Sequence, residues 1–518
     1  MRAISIKGIV NGFSLIRCMS FSKHVNSTNY IIMEVIRTSR GGDKLIFGGF
    51  TYIAKKRSAN SIRWACTKAK SEGCKGGIST DNPSGNPRSF KDHNHAPSGT
   101  DIELAKFRQA MREASENHYG AKTGNIVATH LQSLSNEALV ATPSMETLKR
   151  DVQRHKAKVR PEEPQSLQDI DLQPPWTMTG DDNPQMFLLH DSGPAAGDDR
   201  MLVFGAPIAL AHLASVDTWY LDGNFKSAPE LFKQMYVIRA KLDNGAVSCI
   251  YAFLPGKDSR HYRELFAVVQ REIQQLGIPF NLDTVTVDFE PGAYGALRSI
   301  FGQNLNVNGC FFHLTQSTFR KATEFGLRQY IVEESDDFNP DIRMFVAMVD
   351  ALAFVPIQDL QIAVNALHNN VPDPMVLPLL DYFLSTYVNG RPVPNANPPR
   401  RSPPLFPPAI WSVFNVTIQG GDRTNNICEG FNHSFNAMVG QRHPPFYVAL
   451  EAIQKDFVLS KRKLLQSQAG TPVVQRVRHD VQMYDRNVTR LCDQYLRNVW
   501  QGNMYEYLRR LSFNIRFK

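Results

Sequence analysis

The chain has 518 residues, 42% of them apolar and 21% charged, with a formal net charge of +9. That is globular composition with length for about three domains, and no apolar run approaches the roughly 20 residues of a membrane-spanning helix. Seven scattered cysteines and 31 prolines exclude a small disulfide-stapled scaffold and a collagenous chain, and fit a reducing compartment.

Charge is unevenly divided. Residues 1–33 hold four basic side chains and no acid, and residues 34–160 hold 22 basic against 12 acidic. Residues 161–441 hold 18 against 31, and residues 442–518 hold 14 against 6. Basic flanks suit a polyanion, because each neutralised phosphate releases counterions. Acids gathered in the middle suit divalent metal.

Residues 1–42 read as an N-terminal extension, disordered or not native. Arg2, Lys7, Arg17 and Lys23, with many serines and no acid before Glu34, have the composition of a mitochondrial presequence. The alternative, favoured here, is that Met33 is the start and the upstream residues come from an over-extended reading.

Residues 43–97 form the first module. Leu45 to Ile53 reads as two strands around Gly48-Gly49. The basic turn Lys55, Lys56, Arg57 follows, then a strand carrying Arg63, Trp64 and Cys66. Cys74 comes after seven intervening residues, and His93-Asn-His95 closes the segment. Two cysteines and two histidines can supply the four ligands of tetrahedral Zn²⁺, and on an extended segment His93 and His95 share a face. So small a module buries little apolar surface, so the metal is expected to supply most of its folding free energy. The order Phe50, Tyr52, Trp64-x-Cys66, Cys74, His93-x-His95 resembles a FLYWCH-type zinc finger, a β-rich module of DNA-binding and transposon-derived proteins. The resemblance implies zinc on Cys66, Cys74, His93 and His95. Lys55, Lys56 and Arg57 are candidate DNA contacts.

Residues 100–165 read as a basic helical connector. Asp101 is the expected N-cap of a first helix, Ile126 to Leu134 mark a second, and Ser144 to Val159 a third. The third carries Lys149, Arg150 and Arg154, which suit a helix-turn-helix-like DNA contact; solvated helices bridging two domains are the ordinary alternative. Pro161, Pro164 and the polar run after them predict a linker over 166–184.

From residue 185 to 313 the pattern becomes α/β. Strands are expected at Met201–Phe204, Thr218–Leu221, Gln234–Lys241, Ala246–Leu254 and Thr284–Val287, and helices at Ser259–Leu276 and Pro291–Phe301. Asp222 and Asp288 follow the ends of two apolar strands. Taken singly, each is as well explained as a turn former; together they suit the acids of a metal site in an RNase H-like core. The ordered set Asp222-Gly-Asn-Phe225, Asp288-Phe-Glu290, Gly309-Cys310-Phe-Phe-His313 and Arg423-Thr-Asn-Asn-Ile-Cys-Glu429-Gly-Phe-Asn resembles the transposase domain of Mutator-like (MULE) elements. These belong to the DDE/RNase H superfamily. The likeness implies Asp222, Asp288 and Glu429 as the catalytic acids and as ligands of two Mg²⁺ or Mn²⁺ ions. Asn224 and Cys428 depart from common residues of such elements, but neither replaces a carboxylate. Cys310 and His313 form a C-x-x-H pair whose expected role is structural.

Residues 314–420 read as an all-helical insertion into that core, with a proline-rich crossover from Asn389 to Pro408. Trp411 is either a core residue or an aromatic that stacks on a displaced base. Residues 421–465 resume the core with the helix of the third acid and a second helix ending in Lys461, Arg462 and Lys463, a candidate phosphate contact or nuclear import signal. Residues 466–518 read as a basic helical tail. The favoured function is a nuclear MULE-type DNA transposase, homo-oligomeric on its terminal repeats and on target DNA, with no membrane association. The rivals are a domesticated DNA-binding regulator without turnover and an interaction protein that uses the finger on protein or RNA.

Overall fold

The computed structural model describes residues 33–38, 41–117, 121–397, 399–423, 426–471 and 479–515. Both readings of residues 1–32 lie outside them. The chain divides into two compact units that meet at Glu162/Glu163, and the architecture is mixed α/β in two separate sheets.

The first unit opens with a six-stranded meander in sequential order. Its strands are β1 (Glu34–Arg37), β2 (Asp43–Phe47), β3 (Phe50–Arg57), β4 (Ser61–Cys66), β5 (Gly77–Asp81) and β6 (Gly85–Lys91). β1 lies inside the expected extension and pairs antiparallel with β2, so the folded module begins about nine residues before the predicted boundary. β2 and β3 are joined by Gly48 and Gly49, both with positive φ, the backbone that a two-residue hairpin needs. Alternation places Leu45, Phe47, Tyr52, Ile62, Trp64 and Ile78 in one buried cluster, and the Trp64 indole donates to the Thr80 hydroxyl at 2.8 Å.

Four helices follow: α1 (Gly99–Asn117), α2 (Thr123–Leu131), α3 (Asn136–Val140) and α4 (Met145–Val159). The cap of α1 is Ser98, whose hydroxyl accepts from the Asp101 amide at 3.1 Å; Asp101 sits in the first turn instead. The predicted cap was displaced by three residues because Ser competes for the same role. Ile102 and Ala105 of α1 pack with Ile36 and Ile46 of the sheet, while Phe107, Met111, Ile126, Val127, Leu148 and Val152 close a helical core. The six-stranded sheet therefore has an apolar core and a helical cover of its own.

The second unit contains a seven-stranded mixed sheet. Its strands are β7 (Leu188–Asp191), β8 (Leu202–Gly205), β9 (Thr218–Asn224), β10 (Gln234–Leu242), β11 (Gly245–Leu254), β12 (Thr284–Val287) and β13 (Asn306–Gly309). The spatial order is β13-β12-β9-β10-β11-β8-β7. β12 is parallel to both β9 and β13, and the pairs from β9 through β11 and β8 to β7 are antiparallel. Every residue of β11 is buried, which fits a strand whose one side-chain hydroxyl on an aliphatic stem is that of Ser248. Helix α5 (Pro207–Ser215) precedes β9, and helices α6 (Ser259–Gln275) and α7 (Pro291–Phe301) come close to their predicted spans.

The interruption between β13 and the return of the chain to the sheet is helical: α8 (Phe311–Glu324), α9 (Arg328–Ile331), α10 (Pro340–Ala351), α11 (Leu360–His368), α12 (Leu377–Phe383), α13 (Pro408–Trp411) and α14 (Phe414–Ile418). The chain then forms α15 (Asn426–Val439) and α16 (Phe446–Gln468), and ends in α17 (His479–Leu496) and α18 (Met504–Ser512).

Two expectations need correction. The stretch 166–184 is no free linker: Leu167 and Ile170 are buried, Arg200 donates to the Leu167 carbonyl, and Gln454 donates to the carbonyls of Pro175 and Met178. Nor is the C-terminal region a tail: Tyr507 is fully buried, with its hydroxyl on the Phe354 carbonyl at 2.7 Å.

Candidate metal centres

The first centre lies at the end of β4. Cys66 leaves the strand facing inward, and its Sγ accepts from the Lys68 amide at 3.4 Å. Cys74 follows a short loop, with its Sγ accepting from the Gly76 amide at 3.3 Å. Such N–H···S contacts favour thiolates. His93 and His95 bring Nδ1 and Nε2 to 3.4 Å and 3.2 Å from the sulfurs of Cys74 and Cys66. All four ligand atoms lie within 4.8 Å of one another, which fits tetrahedral Zn²⁺. The free ring nitrogens are engaged as well: His93 Nε2 lies 3.0 Å from the Tyr52 hydroxyl and His95 Nδ1 3.0 Å from the Ala96 carbonyl. These contacts fix which nitrogen faces the metal. Gly76 is required by space, since a Cβ there would lie 2.4 Å from His93 Nδ1.

The second centre forms where β9 and β12, parallel neighbours, reach the same edge of the sheet. Asp222 is in β9 and almost fully buried; Asp288 follows β12 directly. A third group, His313 in the first turn of α8, points its Nδ1 at Asp288 Oδ1, 2.7 Å away. Ligand atoms of Asp222, Asp288 and His313 all fall within 4.8 Å of one another. Burial, followed by the neighbouring Asp288, holds the Asp222 carboxyl well above the usual range. Burial also pushes Asp288 up to about 7, with Glu290 and Glu429 adding to the effect.

Glu429 lies in the first turn of α15, and its charge acts on both Asp288 and His313. The helix is anchored from several sides. Asn432, one turn beyond Glu429, donates to Asp222, and Asn224 donates to Asn432 at 2.9 Å. Asn436 accepts from the Ser227 hydroxyl. Before the helix, Asp422 accepts from the Tyr220 hydroxyl, and the Arg423 carbonyl accepts from the Phe311 amide at 3.1 Å. Thr424 and Asn425 of the motif lie outside the described residues. Glu290 accepts from Lys257 at 2.8 Å and from the Tyr262 hydroxyl, so it braces the segment after Asp288. Cys310 and Cys428 are buried beside the site.

Asn432, Asn436 and the approach of His313 to the aspartates were missed in the sequence. A helical repeat from Glu429 predicts the asparagines on its own face, at i+3 and i+7. Nothing local in Cys310-x-x-His313 gives its direction.

Of the candidate DNA contacts, Lys55, Lys56, Lys149, Arg150, Arg154, Arg462 and Lys463 are exposed. Arg57 pairs with Asp43, and Lys461 pairs with Asp181 at 2.5 Å. Trp411 is 1% exposed, donates to the Tyr387 carbonyl at 2.8 Å and packs on Phe383. The base-stacking role is withdrawn, because both ring faces are enclosed by the insertion.

Compared with known families, residues 35–95 match the FLYWCH zinc finger domain. The first centre is therefore that of a zinc finger, and its Cys/His cluster fits Zn²⁺. The chain matches none of the curated proteins. No helix among the described residues is long and apolar enough to cross a membrane.

Proposed function

We propose that the second unit is an RNase H-like core that performs metal-dependent DNA strand cleavage and strand transfer, as a MULE-type transposase does, and that the FLYWCH finger carries it to DNA. The observation that carries this reading is the meeting of Asp222 in β9 with Asp288, directly after the parallel neighbour β12, in one cluster of ligand atoms. Glu429, in the first turn of α15, is not a member of that cluster, and its charge reaches Asp288. The strand order supports it too. Three antiparallel strands, β9 to β11, are followed by two strands added in parallel on the β9 side, and the helical insertion falls between the second and third acids.

The residues suit Mg²⁺ or Mn²⁺. Two carboxylates, with the charge of a third acting on Asp288, hold hard cations, and the buried acids gain most from a cation that removes their mutual repulsion. Bound ions would lower the barrier at phosphorus by stabilising the attacking and leaving oxygens. The chain's own part is to hold the acids: Asn432 orients Asp222, Lys257 and Tyr262 steady Glu290, and Asn224 ties β9 to α15. The exposed Lys55 and Lys56 of β3 and the basic face of α4 suit contact with phosphates of double-stranded DNA.

Purified full-length protein is expected to nick supercoiled DNA carrying the element's terminal repeats when Mn²⁺ or Mg²⁺ is present. Asp288→Ala should abolish nicking while leaving DNA affinity within about twofold of the parent, because the bulk of affinity comes from phosphate contacts elsewhere. Undiminished nicking by that variant would remove the catalytic assignment.

A further inference from the structure

We propose that His313 is itself a metal ligand, through Nδ1, for the ion held by Asp222 and Asp288, and that this nitrogen makes the site prefer Mn²⁺ to Mg²⁺. The inference rests on the metal site proposed above and specifies its third protein donor.

His313 Nδ1 and Asp288 Oδ1 lie 2.7 Å apart, yet neither atom makes a hydrogen bond among the described residues and both are shielded from solvent. The ring N–H is not directed at the oxygen, so the two atoms stand at ion-pair distance with no hydrogen bond between them. Donors on adjacent corners of an octahedral ion with bonds of about 2.1 Å sit roughly 3 Å apart, close to this spacing. Asp222 offers a further oxygen within 4.8 Å of both atoms, and its carboxylate is oriented by the Asn432 amide. Three donors thus converge on one point from β9, from the end of β12 and from α8.

The ring is held there by the fold. Gly309 ends β13, and a Cβ on it would lie 2.6 Å from Phe289, so the strand passes tightly against the segment that carries Asp288. Cys310 stands at the N-cap position of α8 and is fully buried. The Phe311 amide is donated to the Arg423 carbonyl, so the turn carrying His313 is tied to the approach of α15. Such fixing is what a ligand needs and what a surface histidine lacks.

The donor set then dictates selectivity. Mg²⁺ is held almost wholly by oxygen and dehydrates reluctantly, whereas Mn²⁺ accepts imidazole nitrogen beside carboxylates and stands within the transition-metal affinity series. One nitrogen among oxygens shifts the balance toward Mn²⁺.

The test uses full-length protein with its finger loaded with zinc, and Mn²⁺ as the probe. Pulsed electron paramagnetic resonance should detect a directly bound ¹⁴N on Mn²⁺ in the wild type and lose it in both His313→Ala and His313→Gln. Mn²⁺ affinity should fall roughly tenfold or more in His313→Ala, at least as much as loss of a residue that merely orients a ligand costs, with a smaller loss for Mg²⁺. Asp222→Asn should remove the Mn²⁺ signal altogether, which locates the ion. Mn²⁺ bound without nitrogen in the wild type, or with nitrogen that persists in both His313 variants, would overturn the inference and leave the aspartate site standing. A wild type that binds no Mn²⁺ would overturn both.

Discussion

His93 is held on three sides. Its ring stacks on Phe50 at 3.8 Å with a 6° interplanar angle, its Nδ1 faces Cys74, and its Nε2 meets the Tyr52 hydroxyl. With zinc on Nδ1, the Nε2–H donates to Tyr52, whose hydroxyl is pushed up to about 12 by burial and by Cys66 and Cys74 and so stays neutral. Tyr52→Phe keeps the packing and removes the acceptor. Zinc affinity, read by competition with a chromophoric chelator, should fall roughly tenfold; unchanged affinity would show that stacking on Phe50 alone orients the ring.

A second residue yields a pH dependence. Asp350 of α10 is completely buried, and burial pushes its carboxyl from 3.8 to about 7. Thr318 lies near enough to favour the ionised form, but its hydroxyl is already donated to the Leu314 carbonyl at 3.1 Å, so the burial cost prevails. The folded state therefore keeps a proton that the unfolded chain has lost. Stability contributed by the neutral acid is complete below about pH 4 and is lost as pH rises toward 7, by up to roughly 4 kcal/mol. Asp350→Asn should flatten this slope and raise the urea midpoint at pH 8 relative to the parent. A parent midpoint equal at pH 5 and pH 8 would contradict the buried neutral acid. Residues of this kind are not legible in sequence, because Asp350 in a helix reads as a solvated acid until packing encloses it. The four finger ligands were legible because their donors are of scarce types within 30 residues. His313 was not, since its aspartate neighbours lie on other elements.

At the scale of elements, periodicity located the strands and helices of the second unit well, but not what faces what. α15 was predicted; that Glu429, Asn432 and Asn436 run along one face beside β9 follows only once that strand is in place. β7 and β13 went unpredicted because their sequences, LLHD and NVNG, carry little strand preference, unlike the equally short β8 and β12. The segment 166–184 was misread because its prolines and acids outnumber Leu167 and Ile170, its two buried apolar side chains, beside which Thr177 and Thr179 are buried as well. The basic end of β3 supports a further prediction. Lys55 and Lys56 are exposed, whereas Arg57 is engaged by Asp43. On the proposed reading the two lysines meet phosphate, so replacing both with alanine should lower the slope of log affinity against log salt by about 1.8. An unchanged slope in a fluorescence-anisotropy titration would exclude them from the DNA interface and point to α4 instead.

At the scale of the whole molecule, the split at Glu162/Glu163 means that each unit owns its core, and stabilising features should act only on the unit that contains them. The first unit combines an apolar sheet cluster, a helical core and the zinc site. The expectation that metal supplies most of its folding free energy overlooks α1, which covers the sheet through Ile102 and Ala105. Removing zinc should therefore weaken this unit without abolishing its fold. Calorimetry of the full chain should resolve two transitions. A zinc chelator is expected to lower one by about 10 °C or more, as the loss of several kcal/mol does in a unit of this size. The other transition should stay in place, and at pH 8 Asp350→Asn should move that one upward, leaving the zinc-dependent transition fixed. A single transition that responds to both perturbations would mean the two cores unfold as one, and metal bound at Cys66, Cys74, His93 and His95 would then stabilise the acid site of the second unit as well.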